Sequence, residues 1–112
     1  MTFTVTSDVP PGSTTVIALQ GQLVLTNRDA FKDAALGALA AGATRIIVDC
    51  TTATFIDSSG LGALVSISRA ATEQGASLFL AALSPELLSL LEMTRLDTLL
   101  SIYPTVDAAR RA

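Results

Sequence analysis

The stretch "RIIVDCTTATFIDSSGLGALV", residues 45 to 65, decides how the chain is read. Its first six residues, "RIIVDC", form a short unbroken apolar run, which suits a central strand covered on both faces. At the other end Leu61, Leu64, Val65 and Ser68 recur at helical spacing, so a helix follows and ends near Gly75. Asp57, Ser58, Ser59 and Gly60 lie between, on a strand-to-helix turn. Asp57, Ser58 and Ser59 are all good N-cap residues, because their side-chain oxygens satisfy the unpaired N–H groups of a first helical turn. Gly60 and Gly62 then suit close packing.

Working outward, Phe3 and Val5 alternate with threonines and read as a strand. "DVPPGS", residues 8 to 13, is a turn by its prolines and glycine. "TTVIALQGQL", residues 14 to 23, is a second strand that pairs with the first as a hairpin. Asn27 can cap a following helix whose apolar face is Phe31, Ala34, Ala35, Ala38 and Leu39, with Gly42 as its stop. On the other side, "SLFLAA", residues 77 to 82, is a buried strand. "SPEL", residues 84 to 87, starts a helix with Ser84 as cap, Pro85 in the first turn and Glu86 favoured by the helix dipole. Leu87, Leu88 and Leu91 follow at core spacing. "TLLSIY", residues 98 to 103, reads as a last strand broken by Pro104, and "TVDAARRA" as a short tail helix. Strands alternating with helices predict an α/β fold.

Composition narrows the chemistry. The 112 residues suit one domain, and a hydrophobic fraction of one half supplies a real core. The net charge is -3 with no run of like charges. Lys32 is the sole lysine and the arginines are scattered apart from Arg110 and Arg111, so the basic stripe of a nucleic-acid binder is missing. There is no histidine, hence no histidine base, no Ser-His-Asp triad and no histidine metal ligand. Cys50 is the only cysteine, which leaves no internal disulfide and no cysteine cluster for zinc, and reads as a small buried hydrophobe. The opening "MTFTVTSDV" lacks a basic segment followed by an apolar one, and no apolar stretch approaches a membrane span. The expectation is a cytoplasmic protein with no membrane insertion.

The central turn admits several readings. A hydrolase elbow needs glycines on both sides of the serine, but Ile56 and Asp57 occupy the upstream positions for Ser58 and Ser59. A phosphate loop needs a lysine that is missing here, and Asp57 would repel a phosphate. A plain helix cap remains, and so does a phosphorylation switch. Phosphate on a serine at this turn adds roughly 1.5 to 2 negative charges, which the helix dipole tolerates while the local surface changes sign.

"FIDSSGLGALV" closely resembles the signature of STAS domains, in particular bacterial anti-sigma factor antagonists. "VIALQGQL" resembles the family's early strand with Gly21, and "RIIVDCTTATFIDSSG" its central strand and lead into the signature. "GASLFLAALSPELLSLLEMTRLDTLLSIYPTVDAA" resembles its last strand, leucine-rich helix, Leu-Asp turn at Leu96 and Asp97, and closing tail. The resemblance implies one STAS domain over residues 1 to 112, with a mixed, mostly parallel sheet of about four to five strands and helices packed against it. It implies a non-enzymatic partner switch without cofactor or metal. The unphosphorylated form would bind an anti-sigma factor, a serine kinase with a histidine-kinase-like ATPase fold, and so free a sigma factor. The kinase would phosphorylate Ser58 and a PP2C-type phosphatase would restore it. Asp57, Ser58, Ser59, Gly60, Leu61 and Gly62 would form the partner surface, with "LTN", residues 25 to 27, nearby. The protein would be a monomer or weak dimer. Many antagonists carry Gly-Glu-Leu-Asp after the second strand; "GQLV", Gly21 to Val24, replaces both acids, which bears on kinase recognition. The alternative is a STAS module without a switch, acting as a subunit of a stressosome-like scaffold or of a lipid-transport ATPase.

Overall fold

The computed structural model describes residues 3–7 and 14–112, so the turn expected at residues 8 to 13 lies outside the described residues. Strand β1 (Phe3–Ser7) runs antiparallel to β2 (Thr14–Leu23), with Phe3 opposite Leu19 and Val5 opposite Ile17, as the alternation predicts. Strands β3 (Arg45–Ile56), β4 (Ser77–Ala81) and β5 (Ser101–Tyr103) extend the sheet in parallel, and its five strands lie in chain order. Successive parallel crossovers that advance one strand in the same direction place their helices on one face. Helices α1 (Arg28–Ala40), α2 (Ser58–Glu73) and α3 (Pro85–Met93) accordingly share one core, where Phe31, Leu64 and Leu87 meet Ile17, Leu19, Ile46, Val48 and Leu80. The short α4 (Val106–Arg110) covers the opposite face, setting Ala109 on Ile47 and Ala81.

Several expectations change in detail. Strand β3 runs on past Cys50 to Ile56, because its pairing with β2 continues to Leu23, and its register slips twice on the way. Ala18 pairs with Asp49 but Gln20 with Thr52, and Gly21 pairs with Ala53 but Gln22 with Phe55, so β3 carries an extra residue at each step. Such bulges rotate the following side chains. Strict alternation from Cys50 would turn Thr52 and Thr54 inward; the bulges bury Cys50, Ala53 and Ile56 instead. Asp49 holds the first bulge, its Oδ1 accepting from the N–H and the hydroxyl of Thr51 at 3.1 and 2.6 Å.

The last strand is shorter than expected. Leu96–Thr98 forms a 3-10 turn, and the N–H groups of Leu99 and Leu100 both donate to the Leu96 carbonyl, which delays β5 until Ser101. Leu88 is exposed, while Leu87 and Leu91 enter the core. The buried face of α2 runs through Leu61, Leu64, Ile67 and Ala71; Val65 and Ser68 flank it half-buried. In α1 the buried line is Phe31, Ala35 and Leu39, with Ala34 and Ala38 half-buried beside it. Ser84 caps α3 as expected, its hydroxyl accepting from the Leu87 N–H at 3.2 Å.

Cys50 is 1% exposed. Burial, reinforced by the Asp49 carboxylate, raises its thiol from 9.0 to about 12. The native state therefore holds this proton after the unfolded chain has lost it. Its contribution to stability is intact below about pH 9 and declines as pH rises from 9 toward 12. Iodoacetamide at pH 8 is expected to leave the native thiol unmodified and to alkylate it fully in denaturant; rapid native alkylation, read by mass spectrometry, would contradict this burial.

Candidate functional site

Strand β4 pairs with β3 only from Arg45 to Asp49, so residues 50 to 56 continue beyond it on β2 alone. This ribbon carries the strand-to-helix turn at the carboxyl edge of the sheet, where α/β sheets commonly place binding sites. The Asp57 N–H donates to the Leu23 carbonyl at 3.1 Å, prolonging the strand pairing by one residue. The Asp57 side chain then starts α2. Its Oδ1 accepts from the Gly60 N–H at 2.8 Å, and its Oδ2 accepts from the Leu25 N–H at 3.2 Å. One carboxylate thus joins the helix start to the loop after β2, and both its oxygens are engaged.

Asn27 stands before α1 as expected, but its side chain makes no bond to the first turn of that helix. It accepts from the Val24 N–H and donates to the Gln22 carbonyl, each at 2.8 Å. The loop of residues 24 to 27 is therefore fixed from within and from Asp57. Gln22 is exposed beside Phe55 in the register, and Val24 is half-buried. Asp57→Asn should keep the Gly60 bond but turn an amide N–H toward the Leu25 N–H. A loss of about 1 kcal/mol is expected, together with faster amide exchange at Leu25; unchanged exchange there would show that the Leu25 bond is dispensable.

Ser58 is the first residue of α2 and is exposed, and among the described residues its hydroxyl has no hydrogen-bond partner. Ser59 is half-buried. Gly60 is buried, which gives it a packing role. A Cβ there would meet the Leu23 carbonyl oxygen at 2.4 Å and Ile56 Cγ2 at 2.8 Å. Gly62 differs: it is exposed, and a Cβ would meet nothing within 4 Å, so close packing does not explain it. Gly62→Ala should leave the fold intact or stabilise it by up to about 1 kcal/mol through helix propensity. A fall in melting temperature would show a packing role.

Ser58, Leu61, Gly62 and Val65 form one wall of an open groove of about 320 Å³, and Thr94 and Leu96 form the other. Leu61 is only 7% exposed and lies at its floor. The segments around Ser58 expose large apolar side chains: Leu25 by 62%, Phe55 by 48% and Met93 by 82%. Sequence reading missed Thr94 and Leu96 as neighbours of Ser58, and Phe55 as surface. The only signal was an apolar residue at a position where bulges had broken the alternation. No group of three or more metal-ligating side chains occurs among the described residues. No helix of theirs is long and apolar enough to cross a membrane.

A five-stranded mixed sheet with helices on both faces, presenting a capped serine-bearing turn at its carboxyl edge, defines a small class of α/β domains. The family model of the STAS domain matches residues 4–109, and the chain belongs to the STAS domain family. Solved structures share the fold. A candidate anti-sigma factor antagonist from Thermotoga maritima superposes with a TM-score of 0.87 at 23% identity, covering 97% of this chain and 92% of that one. An anti-sigma factor antagonist from Mycobacterium paratuberculosis gives 0.83 at 21%, covering 96% and 89%. The Bacillus cell fate determinant SpoIIAA in its phosphorylated form gives 0.72 at 22%, covering 97% of each chain.

Proposed function

We propose that the protein is an anti-sigma factor antagonist switched by phosphorylation of Ser58. The observation that carries this reading is the contrast within one turn. Ser58 is exposed and its hydroxyl has no hydrogen-bond partner among the described residues, while Asp57, Gly60 and the loop of residues 24 to 27 are held by hydrogen bonds and packing. A kinase can reach the hydroxyl without unfolding its surroundings. The fold similarity to antagonists, one of them solved in a phosphorylated form, supports the same reading.

The unphosphorylated surface is apolar and open at the groove, and it docks an anti-sigma factor that is itself a serine kinase of histidine-kinase-like ATPase fold. Phosphate at the first position of α2 is compatible with the helix dipole. Asp57 keeps its two N–H partners, so the scaffold persists. The groove beside it acquires roughly 1.5 to 2 negative charges, and apolar partner atoms lose their seat. A PP2C-type phosphatase reverses the change. The residues act as substrate and docking surface, with no chemistry of their own.

A paired pull-down from the native lysate tests this. Ser58→Ala should retain an ATPase-fold kinase that Ser58→Asp loses. If both baits hold the same scaffold or transporter subunits, the switch is absent and the domain is an assembly module.

A further inference from the structure

We propose that α3 is a movable jaw of the Ser58 groove, held under strain by hinges at Ala82 and Arg95, and that a partner seated in the groove shifts the jaw and relieves the strain. The second half rests on the docking role proposed above. Ala82 (φ 60°) and Arg95 (φ 63°) are the only residues other than glycine with positive φ among the described residues. In this left-handed conformation a Cβ crowds the following carbonyl oxygen, so an L side chain costs free energy there. The two residues bracket α3, Pro85–Met93. Arg95 shows that the strain is not needed to end a helix. It follows the C-cap residue Thr94, and at the same position α1 and α2 place Gly42 (φ 101°) and Gly75 (φ 74°), which make the turn without penalty. Backbone strain persists only where surrounding contacts over-determine it, and it collects at clamps and switch regions.

Apolar packing is what seats α3. Leu87 and Leu91 enter the core and are 4% and 1% exposed. Among the described residues, every hydrogen bond of residues 84 to 94 stays within residues 84 to 95. Helix α2 differs, because Asp57 ties its start to Leu23 and Leu25. A shift of α3 over its two leucines therefore breaks no hydrogen bond to the rest of the fold.

The second hinge adjoins the groove. Thr94 and Leu96, on either side of Arg95, form the wall that faces Ser58, Leu61 and Val65. Rotation at Arg95 thus sets the width of the groove. A partner shifts such an equilibrium only by the difference in its affinity for the two positions. An apolar group entering between the walls supplies that difference, since it makes more contact once the wall has given way, and the relaxing hinges add to its binding.

Glycine at the hinges relieves the strain without any movement. Ala82→Gly combined with Arg95→Gly should raise the melting temperature of the full chain by about 4–8 °C. The same pair should bind the purified kinase retained by Ser58→Ala about fivefold more weakly, because the relief is no longer there to be released. Ala82→Gly alone should also raise the melting temperature and weaken binding about twofold. Ala82 removes no charge, and it stands one helix length, about 14 Å, from the groove wall. Weakening seen only with Arg95→Gly would trace to the lost cation and overturn the proposal. So would an unchanged or lower melting temperature. A more stable pair that binds as the parent does, while Ser58→Asp fails to bind, overturns the jaw and leaves the phosphorylation switch standing. A second arm needs no partner: amide exchange of the parent chain should show α3 opening roughly tenfold or more as often as α2. Amides of α3 that exchange only together with those of α2 would overturn the proposal. Independent opening of α3, with no kinase retained by either bait, keeps the jaw and removes the docking reading.

Discussion

Gly60→Ala is expected to lower the melting temperature by about 12–24 °C. The added Cβ would sit 2.4 Å from the Leu23 carbonyl oxygen, and the oxygen cannot retreat freely. It belongs to β2 and accepts from the Asp57 N–H at 3.1 Å, so moving it breaks the bond that aligns β3 with the start of α2. Ile56 Cγ2 at 2.8 Å and Leu23 Cγ at 3.0 Å close the remaining directions. Overpacking of this kind costs about 3 kcal/mol, and each kcal/mol moves the midpoint of a domain near this size by about 4–8 °C. Gly60→Val should be worse, since a branched side chain adds atoms on the same blocked side. Thermal denaturation followed by circular dichroism reads the effect directly, with Gly62→Ala as the control in open space. A melting temperature within a degree of the parent would show that α2 can slide away from β2 at no cost.

Ser58→Asp is expected to keep the fold and weaken kinase binding at least tenfold, a change of about 1.4 kcal/mol. An acid in the first turn of a helix contributes about 0.3–1 kcal/mol favourably, so stability should hold or rise slightly. Binding falls because the charge stands on the apolar groove of Leu61, Val65 and Leu96. Ser58→Ala should bind like the parent and accept no phosphate from the purified kinase. Phosphopeptide mapping decides between neighbours: phosphate at half-buried Ser59 or exposed Thr54 in that variant would move the switch to another residue. Equal affinities of Ser58→Asp and the parent would remove charge as the basis of release.

If Ser58 is phosphorylated as proposed, Gln22 and Val24 would bear on the rate of that step more than on the architecture. Where the resemblance to anti-sigma factor antagonists leads one to expect two acids, this chain offers an exposed amide and a half-buried valine. The Asp57 carboxylate is occupied by the Gly60 and Leu25 N–H groups. On the proposed reading, a kinase acting on Ser58 would therefore supply most of the polar contacts around its hydroxyl.

What the sequence determined by itself was whatever short-range chemistry controls. The order of strands and helices followed from periodicity. The starts of α2 and α3 followed from Asp57 and Ser84, whose oxygens reach N–H groups only three residues away. The antiparallel hairpin of β1 and β2 was legible for the same reason. Tertiary structure decided the rest, because the determining contacts join residues far apart in the chain. The two bulges of β3 exist only against β2, and they alone take Thr52 and Thr54 out of the core. Asn27 left the helix it was expected to cap for two backbone groups of the preceding loop. Gly60 and Gly62 look equivalent as letters; a carbonyl oxygen contributed by residue 23 makes one indispensable and leaves the other open to solvent.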